Sequence, residues 1–600
     1  MTDKNINIEK FDIEAESKSL KELVCKFDSE KLLSDISDLL TQIDSPGILL
    51  HPFQGLDSPL RQLLYVASLS ISSNKETAIH NRTPTTEEWK KIIFHVIRAK
   101  AGYFDLFLPK EEDDKVEYYE FYRVAMPVFM NYFSAGSLNF EEQEIDRIER
   151  RFQNFNIEIK NKFGLTVQNF ISIYNLIDET FNDKLNRVFN LMRDDNECKE
   201  FCDKQEDKKT SPKDWIYEGS NSNLKEVILF FKDIGEKHKI NKTALYDKYD
   251  SKKIDTFFEL FTVEKAERNF LFYTQKNPIE FAPLFKLFDN RYLAISTKQI
   301  LYAINNLLED FCLDKKNKLN DRFVRNRGNK LQTKTEEVFA AFFKKDFHIH
   351  NEYTVTPNGD GQDILILYKG ICLIIETKAG KEPTPPSVPN DTRKVYEIIY
   401  RKFKNDIQEG YTQAFRIKKL FDTKTDFDIY DKGKNLKHRV RTRNYHSVFS
   451  LIVTEESYRK PQIDLSLLLK LDSTDNLYPF SVSIDDLEII LLTLRKQKMS
   501  VADFIHFLTL REKLQGRLEC NDELELWGAF INNKKFSVPD EPDMHFKTFP
   551  EMTDIYDDLY KRGLGFKNEK LIDKKKSGRW EFMEPISRSR FNQNKSFTKF

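Results

Sequence analysis

The stretch Gly361-Gln-Asp-Ile-Leu-Ile-Leu-Tyr-Lys-Gly-Ile-Cys-Leu-Ile-Ile-Glu-Thr-Lys-Ala-Gly380 decides the fold of the central part of the chain. It holds two apolar runs, 364–368 and 371–375, and the turn signal between them is Lys369-Gly370. Apolar runs of this length that are bounded by turn residues are typical of strands at the centre of a covered sheet. Because the connection is only two residues long, the pair predicts a tight β-hairpin.

Three charged residues stand at the outer ends of these runs. Asp363 precedes the first run, and Glu376 and Lys378 follow the second. Charges at the ends of buried strands are costly unless they are paired or bind a metal. Side chains alternate between the two faces of a strand, so Glu376 and Lys378 share one face and Thr377 takes the other. The hairpin then places Asp363 near Glu376, which predicts a site of two carboxylates and one lysine.

The sequence before the hairpin predicts a helix and then a strand. The helix covers 333–345 and carries two acids, Glu336 and Glu337. The strand covers 347–356, and its histidines, His348 and His350, are interpreted as capping the sheet rather than binding a metal.

The sequence after the hairpin continues the same domain. A proline-rich segment predicts a mobile loop beside the site, since proline removes a backbone donor and cannot continue a helix or strand. In order, the predictions are a loop over 381–390, a long basic helix over 395–421 that contains Gln413, a basic loop over 431–443, a buried strand over 447–454, and a strand that enters a helix capped at Ser483 or Asp485.

Length and composition limit the class of protein. A chain of 600 residues predicts about two to four domains, and 40% hydrophobic residues are ample for globular cores. The N-terminus lacks an apolar signal core, and no apolar run approaches the roughly 20 residues needed to span a bilayer. We therefore expect a cytoplasmic protein without a membrane partner. Cys198 and Cys202 have no second pair nearby to complete a zinc site, so they are interpreted as thiols.

The order of these elements resembles the PD-(D/E)xK nuclease superfamily, which has the restriction-endonuclease-like fold. The local pattern from Gln362-Asp363 to Glu376-Thr-Lys378-Ala-Gly380 is similar to its nuclease-related and RecB-like branches. The family motif carries over at Asp363, Glu376 and Lys378. This chain departs from the motif in having Gln362 where a proline often precedes the aspartate.

Two further residues match the family outside the hairpin. A helical glutamate before the strands corresponds to Glu336 in preference to Glu337, because Glu336 leads Phe339 and Phe343 at the third and seventh following positions. The segment Glu409-Gly-Tyr-Thr-Gln413-Ala is similar to the glutamine motif that follows the lysine in RecB-like members.

The resemblance implies metal-dependent phosphodiester hydrolysis. Asp363 and Glu376, with the carbonyl of Thr377, would hold Mg²⁺ or Mn²⁺, since both ions prefer oxygen ligands. Lys378 would help to deprotonate the attacking water and to stabilise charge on the phosphate. Gln413 would orient the lysine or a phosphate.

The resemblance also implies partners and a role. The expected substrate is nucleic acid, DNA in preference to RNA, and a homodimer or higher homo-oligomer is expected because cutting both strands requires two sites. Large stand-alone members look like prokaryotic defence nucleases that act on phage or foreign DNA. Two alternatives stay open, a catalytically silent nucleic-acid-binding or assembly module and a helical protein-binding scaffold. No Gly-x4-Gly-Lys-[Ser/Thr] loop occurs, so the chain does not itself power translocation on DNA.

The predicted organisation has four regions. Residues 1–203 form a helical N-terminal region, and 214–325 form a mostly helical middle region. Residues 326–500 form the α/β nuclease domain, a mixed central sheet flanked by helices, and 501–600 form a small helical extension with a basic, partly disordered tail. The interval from 315 to 345 holds ten lysines and arginines against three acids, which is compatible with a nucleic-acid surface or with a solvated helix face.

Overall fold

The structure is a computed structural model. It describes residues 11–43, 56, 59–72, 79–108, 122–130, 140–207, 215–219, 221–232, 236, 238–263, 269–381, 392–520, 522–533, 537–538 and 544–569. The loop predicted at 381–390 and the tail predicted to be partly disordered fall almost entirely outside these residues.

The chain divides into two compact units. The first consists of Met1–Leu106, Phe133–Asp314 and Glu581–Phe600, and the second consists of Phe107–Tyr132 and Lys315–Trp580. The division into four regions predicted from the sequence stays a prediction. Within the part of the chain that the structure describes, no helix combines the length and the apolar composition that a membrane crossing requires.

The first unit is mainly helical. Its longest helix, Val167–Asp194, begins at a capping box in which the Thr166 hydroxyl accepts from the Asn169 amide. Its buried face packs through rings such as Phe170, which contacts Phe257 and Phe261. The described helices are Ile13–Val24, Ser29–Ile43, Pro59–Ile71, Thr86–Asp105, Glu141–Phe152, Asn156–Phe163, Val167–Asp194, Asn196–Asp207, Ser222–Lys232, Ser251–Phe261, Pro278–Phe281 and Thr297–Leu313.

A small sheet also belongs to the first unit, and the sequence did not predict it as a sheet. It has four strands in the order β1-β4-β3-β2. They are β1 (Lys239–Ile240), β2 (Thr262–Val263), β3 (Leu284–Lys286) and β4 (Tyr292–Ala294). Strands of two or three residues are too short to show an alternating pattern in the sequence.

The second unit is built on a five-stranded mixed sheet. Its order is β11-β10-β7-β6-β5, with β10 parallel to both β7 and β11 and with β5, β6 and β7 antiparallel. The strands are β5 (His348–Tyr353), β6 (Gln362–Tyr368), β7 (Ile371–Lys378), β10 (Ser447–Thr454) and β11 (Phe480–Ser483). Two small ribbons accompany it, β8 (Phe427–Tyr430) with β9 (Leu436–Val440) and β12 (Leu518–Glu519) with β13 (Phe546–Lys547).

Helices cover both faces of this sheet. One face carries Leu365, Leu367 and Ile374, which form a core with Ala414 and Phe421 of the helix Glu409–Asp422, hereafter the Gln413 helix. The opposite face meets the helix Asn320–Phe343, hereafter the Glu336 helix. The Phe343 ring lies 5.2 Å from that of Tyr368.

The second unit contains further helices. Residues 122–130 are helical, and the remaining helices are Thr392–Phe403, Lys460–Ile463, Ile484–Lys496, Val501–Lys513, Glu523–Asn532 and Asp554–Tyr560. The expectation of a mixed sheet flanked by helices, after a mainly helical region, is confirmed at this level.

Two local predictions of chain geometry can be compared with the structure. The hairpin is present, and its loop residues Lys369 and Gly370 have φ of 42° and 83°, as a two-residue loop with two left-handed residues requires. Part of the basic loop predicted over 431–443 is instead the strand β9, which pairs with β8, and Phe427, Ile429 and Val440 of these two strands are buried in the core with Tyr353 of β5.

A π-helical segment, Lys404–Gln408, joins the helix Thr392–Phe403 to the Gln413 helix without a break. The sequence predicted one long helix here, and the chain is helical throughout. Single π turns inside helices are rare and are frequent at functional sites. This one immediately precedes the helix that carries Gln413.

Candidate active site

The two predicted carboxylates lie opposite each other at the end of the hairpin. The ladder pairs Ile364 with Ile375, so Asp363 and Glu376 are the next residues outward on the two strands. Their side chains and that of Lys378 point to the face that the Gln413 helix covers, because alternation places them with Leu365 and Ile374.

Glu376 is the most deeply buried of the predicted site residues. Its side chain is 2% exposed, and its Oε1 has no hydrogen-bond partner among the residues that the structure describes. Burial, and to a smaller extent the neighbouring charge of Asp363, raise the pKa of Glu376 to about 8, although Lys378 and Arg416 act in the opposite direction. The positive charges near Glu376 thus do not compensate for the cost of burying its ionised carboxylate.

Asp363 is held by the strand across from it. Its Oδ2 accepts hydrogen bonds from the Thr377 amide at 2.7 Å and from the Thr377 hydroxyl at 2.8 Å. On the other side of the sheet, Gln332 of the Glu336 helix donates to the Asp363 carbonyl at 2.9 Å. These bonds fix the carboxylate and its backbone, and they occupy one carboxylate oxygen.

Lys378 is brought together with Gln413. The Lys378 Nζ donates to the Gln413 Oε1, and a methyl group at Gly410 would lie 3.3 Å from the Lys378 Cε and 3.1 Å from the Ile452 Cγ2. The absence of a side chain at Gly410 therefore lets the helix approach β7 closely enough for this contact. The sequence predicted the residue types, and the structure supplies the contact.

Glu336 is not brought to the carboxylate pair. It is half-buried, and its Oε2 accepts from the Asn351 Nδ2 of β5 at 2.8 Å. Across the described ranges, no set of three or more His, Cys, Asp or Glu side chains is arranged to hold a metal ion. A role for Glu336 at the site stays a prediction.

The structure adds Tyr353, which sequence reasoning missed. Its ring is 1% exposed, and its hydroxyl has no hydrogen-bond partner among the described residues. Burial raises the pKa of Tyr353 well above its ordinary value, and the charges of Glu376 and Asp363 raise it too. Alternation alone would turn Tyr353 away from Leu365, but Glu352, within the strand, has a left-handed φ of 47°, and Tyr353 packs in the same core cluster as Leu365.

A second polar contact lies at the end of β7. The Tyr458 hydroxyl donates to the Asp406 Oδ2, and a Cβ at Gly380 would overlap that carboxylate. Asp406 belongs to the π-helical segment, so the backbone two residues after Lys378 is packed against this segment. The glycine in the sequence was the one signal for this close approach.

The predicted histidines lie elsewhere on the sheet. The rings of His348 and His350 lie 5.5 and 5.2 Å from the ring of His438 on β9. Burial and the nearby histidines lower the pKa of His350 to about 4. The three rings pack against one another.

Comparison with known proteins adds no relative. No family model, no curated protein and no solved structure matches the chain.

Proposed function

We propose that the chain is a metal-dependent nuclease of the PD-(D/E)xK type that hydrolyses phosphodiester bonds in DNA. The observation that carries the proposal is the Glu376 carboxyl, which is 2% exposed, has an unpartnered Oε1 and lies opposite Asp363. A buried carboxylate without a partner is costly, and paired carboxylates in such places are characteristic of metal sites.

The donor set fits Mg²⁺ or Mn²⁺. Asp363 and Glu376 offer oxygen ligands, and these ions commonly bind through one or two carboxylates while keeping several waters. A divalent cation bound between them would supply charge that lowers the energy of the phosphoryl transition state. Thr377 contributes by donating its amide and hydroxyl to Asp363, which orients that carboxylate.

Lys378 and Gln413 have complementary parts in the proposal. Lys378 carries a compact positive charge beside the carboxylates, suited to stabilising charge on a phosphate and to assisting deprotonation of a water. Gln413 accepts from its Nζ and so restricts the orientation of a long, flexible side chain. This pairing supports a catalytic lysine over one that merely neutralises Glu376.

The proposal extends to assembly and setting. Cutting both strands of a duplex requires two such sites, which favours a homodimer or a higher homo-oligomer. A cytoplasmic role in prokaryotic defence against phage or foreign DNA remains a proposal drawn from the family resemblance.

One observation favours a second candidate, a catalytically silent nucleic-acid-binding module. The Thr377 amide and hydroxyl both occupy the Asp363 Oδ2, so part of the ligand capacity is already used inside the protein. Such a module would bind DNA with strong salt dependence and would not cut it under any metal.

The test is plasmid cleavage with Mg²⁺, Mn²⁺ or EDTA. Wild type should nick the plasmid with either metal and not with EDTA, and Asp363→Asn should abolish the activity. Lys378→Met should lower the rate by about 10²–10⁴-fold, the usual contribution of a proton-transfer group. Lys419→Met removes an exposed lysine from the same helix as Gln413 and is the matched control. Equal nicking by all the variants would sink the assignment.

A further inference from the structure

Arg416 lies one helical turn beyond Gln413. Residues three apart on a helix project from the same side, so Arg416 and Gln413 share the edge of the helix that borders the candidate site. The Arg416 Nη1 donates to the Asp360 Oδ2 at 2.8 Å. Asp360 belongs to the loop between β5 and β6 and precedes Asp363 by three residues.

The Arg416–Asp360 pair is exposed. The Arg416 side chain is 47% exposed and that of Asp360 is 83% exposed. Ion pairs in water contribute about 0–1 kcal/mol, so little free energy opposes their separation. Asp360 can be rehydrated fully when it loses the arginine.

The positive charge of Arg416 also reaches the buried carboxylate. It lowers the pKa of Glu376, against the effect of burial. Arg416 thus acts on the candidate site while its direct partner is a carboxylate on the surface.

The loop that carries Asp360 has hydrogen bonds that do not involve Arg416. The Lys434 Nζ donates to the Asn358 Oδ1 at 2.7 Å, and the Gly359 amide donates to the Thr356 carbonyl at 3.0 Å. The loop therefore has other contacts to hold it, and a role for Asp360 as its anchor accounts for the exposed Arg416–Asp360 pair less well than a pair that can exchange its partner.

We propose that Arg416 binds a backbone phosphate of the nucleic acid beside the candidate active site, and that Asp360 holds the arginine until the phosphate displaces it. The inference rests on the proposed function for the identity of the ligand. A guanidinium presents two parallel donors that match the oxygens of a phosphate, and charge-assisted bonds of this kind are stronger than neutral ones. When DNA binds, Arg416 therefore leaves the exposed carboxylate of Asp360, which it binds weakly, for a phosphate whose oxygens match the guanidinium better.

The probe is a fluorescein-labelled DNA duplex, and the readout is fluorescence anisotropy. The measurements use Mg²⁺ and a Lys378→Met background, which keeps the probe intact. Arg416→Ala should weaken binding about 10-fold, the loss expected for one charge-assisted contact, and should reduce the salt slope by about one. Arg495→Ala removes an exposed arginine from the helix Ile484–Lys496 and should change neither quantity.

Asp360→Asn is the deciding variant. If Asp360 competes with phosphate, its removal should tighten binding up to about 5-fold, the value of an exposed pair. The tightening should vanish in the Asp360→Asn/Arg416→Ala double variant, because the two residues then no longer act on each other.

Each other result overturns the inference. Binding that is weakened or unchanged by Asp360→Asn shows that the carboxylate does not compete, and an unchanged affinity of Arg416→Ala shows that the arginine makes no contact. If wild type still nicks the plasmid in these cases, the inference alone fails. If wild type neither binds nor cuts DNA, the proposed function fails together with it.

Discussion

Replacing Glu376 by glutamine should stabilise the metal-free protein most at about pH 9, and at about pH 6 by less than half as much. The pKa of Glu376 is raised from 4.5 to about 8, so the folded protein keeps a proton that the unfolded chain has lost between these values. The stabilising contribution of the protonated carboxyl is complete below 4.5 and is lost as the pH rises through about 8. Glutamine is neutral at every pH, so the variant does not lose this stabilising contribution.

The displacement of this pKa sets the size of the effect. A change from 4.5 to about 8 corresponds to about 5 kcal/mol, which is the upper limit for the gain from Glu376→Gln at high pH. The side chain is 2% exposed, so water screens little of it. For a unit of this size, about 5 kcal/mol corresponds to a rise of about 10–20 °C in the melting temperature.

Differential scanning calorimetry in EDTA at the two pH values measures the difference directly. Wild type and variant are compared at each pH, so other titrating groups cancel. Glu409→Gln replaces an exposed glutamate on the Gln413 helix and should show no such pH-dependent gain. Mg²⁺ at the higher pH should stabilise wild type and leave Glu376→Gln unaffected.

A variant that melts at the same temperature as wild type at the higher pH would refute the reasoning. It would mean that burial does not disfavour the ionised form of the Glu376 carboxyl. The metal proposal would then lose the observation that carries it.

Three further substitutions test the candidate site and the fold that supports it. Gln413→Leu should reduce the turnover of DNA about 10-fold or more without changing its affinity, because Lys378 loses the acceptor that orients it. Arg511→Met should destabilise the protein by about 3–5 kcal/mol in urea unfolding, because Glu523, 4% exposed, would stay buried without its cation. Gly370→Val should cost about 1–3 kcal/mol in the same assay, because the residue has φ of 83°.

Each of these has a matched comparison. Thr412→Val alters the neighbouring exposed position and should leave turnover intact, and an equal loss there would discount Gln413. Adding Glu523→Leu to Arg511→Met should recover stability, whereas a further loss would point to packing as the cause. Lys369→Gly relieves a second left-handed residue of the same turn and should not destabilise.

The hairpin could be predicted because local rules agree there. Its apolar runs, its two-residue loop and the charges at its ends all point to one register, and the ladder from Tyr368↔Ile371 to Ile364↔Ile375 follows that register. The mixed sheet and its covering helices followed from the same kind of pattern.

Other features left no usable pattern in the sequence. The strand β9 was predicted as part of a basic loop because its outer face is charged, and β8, whose Phe427 and Ile429 are buried, was not predicted. Tyr353 joins the core through a left-handed Glu352, a conformation that no glutamate signals in advance. Contacts between distant segments, such as Lys378 with Gln413, depend on packing distances that sequence spacing does not contain.

The π-helical segment Lys404–Gln408 has a consequence for sequence change in this region. An α-helix turns by about 100° per residue, so one residue more or less between two helices rotates one against the other by that angle. The Gln413 helix is fixed against β7 and β10 by its buried face, whereas the helix Thr392–Phe403 has only Val395, Ile399 and Phe403 fully buried. A one-residue deletion within 404–408 would rotate the tyrosine pair Tyr396 and Tyr400, together with its neighbouring basic residues, by that angle relative to the Gln413 helix, and it would also disturb the contact of Asp406 with Tyr458. The length of this segment thus sets the direction in which the surface of the helix Thr392–Phe403 faces relative to the Gln413 helix.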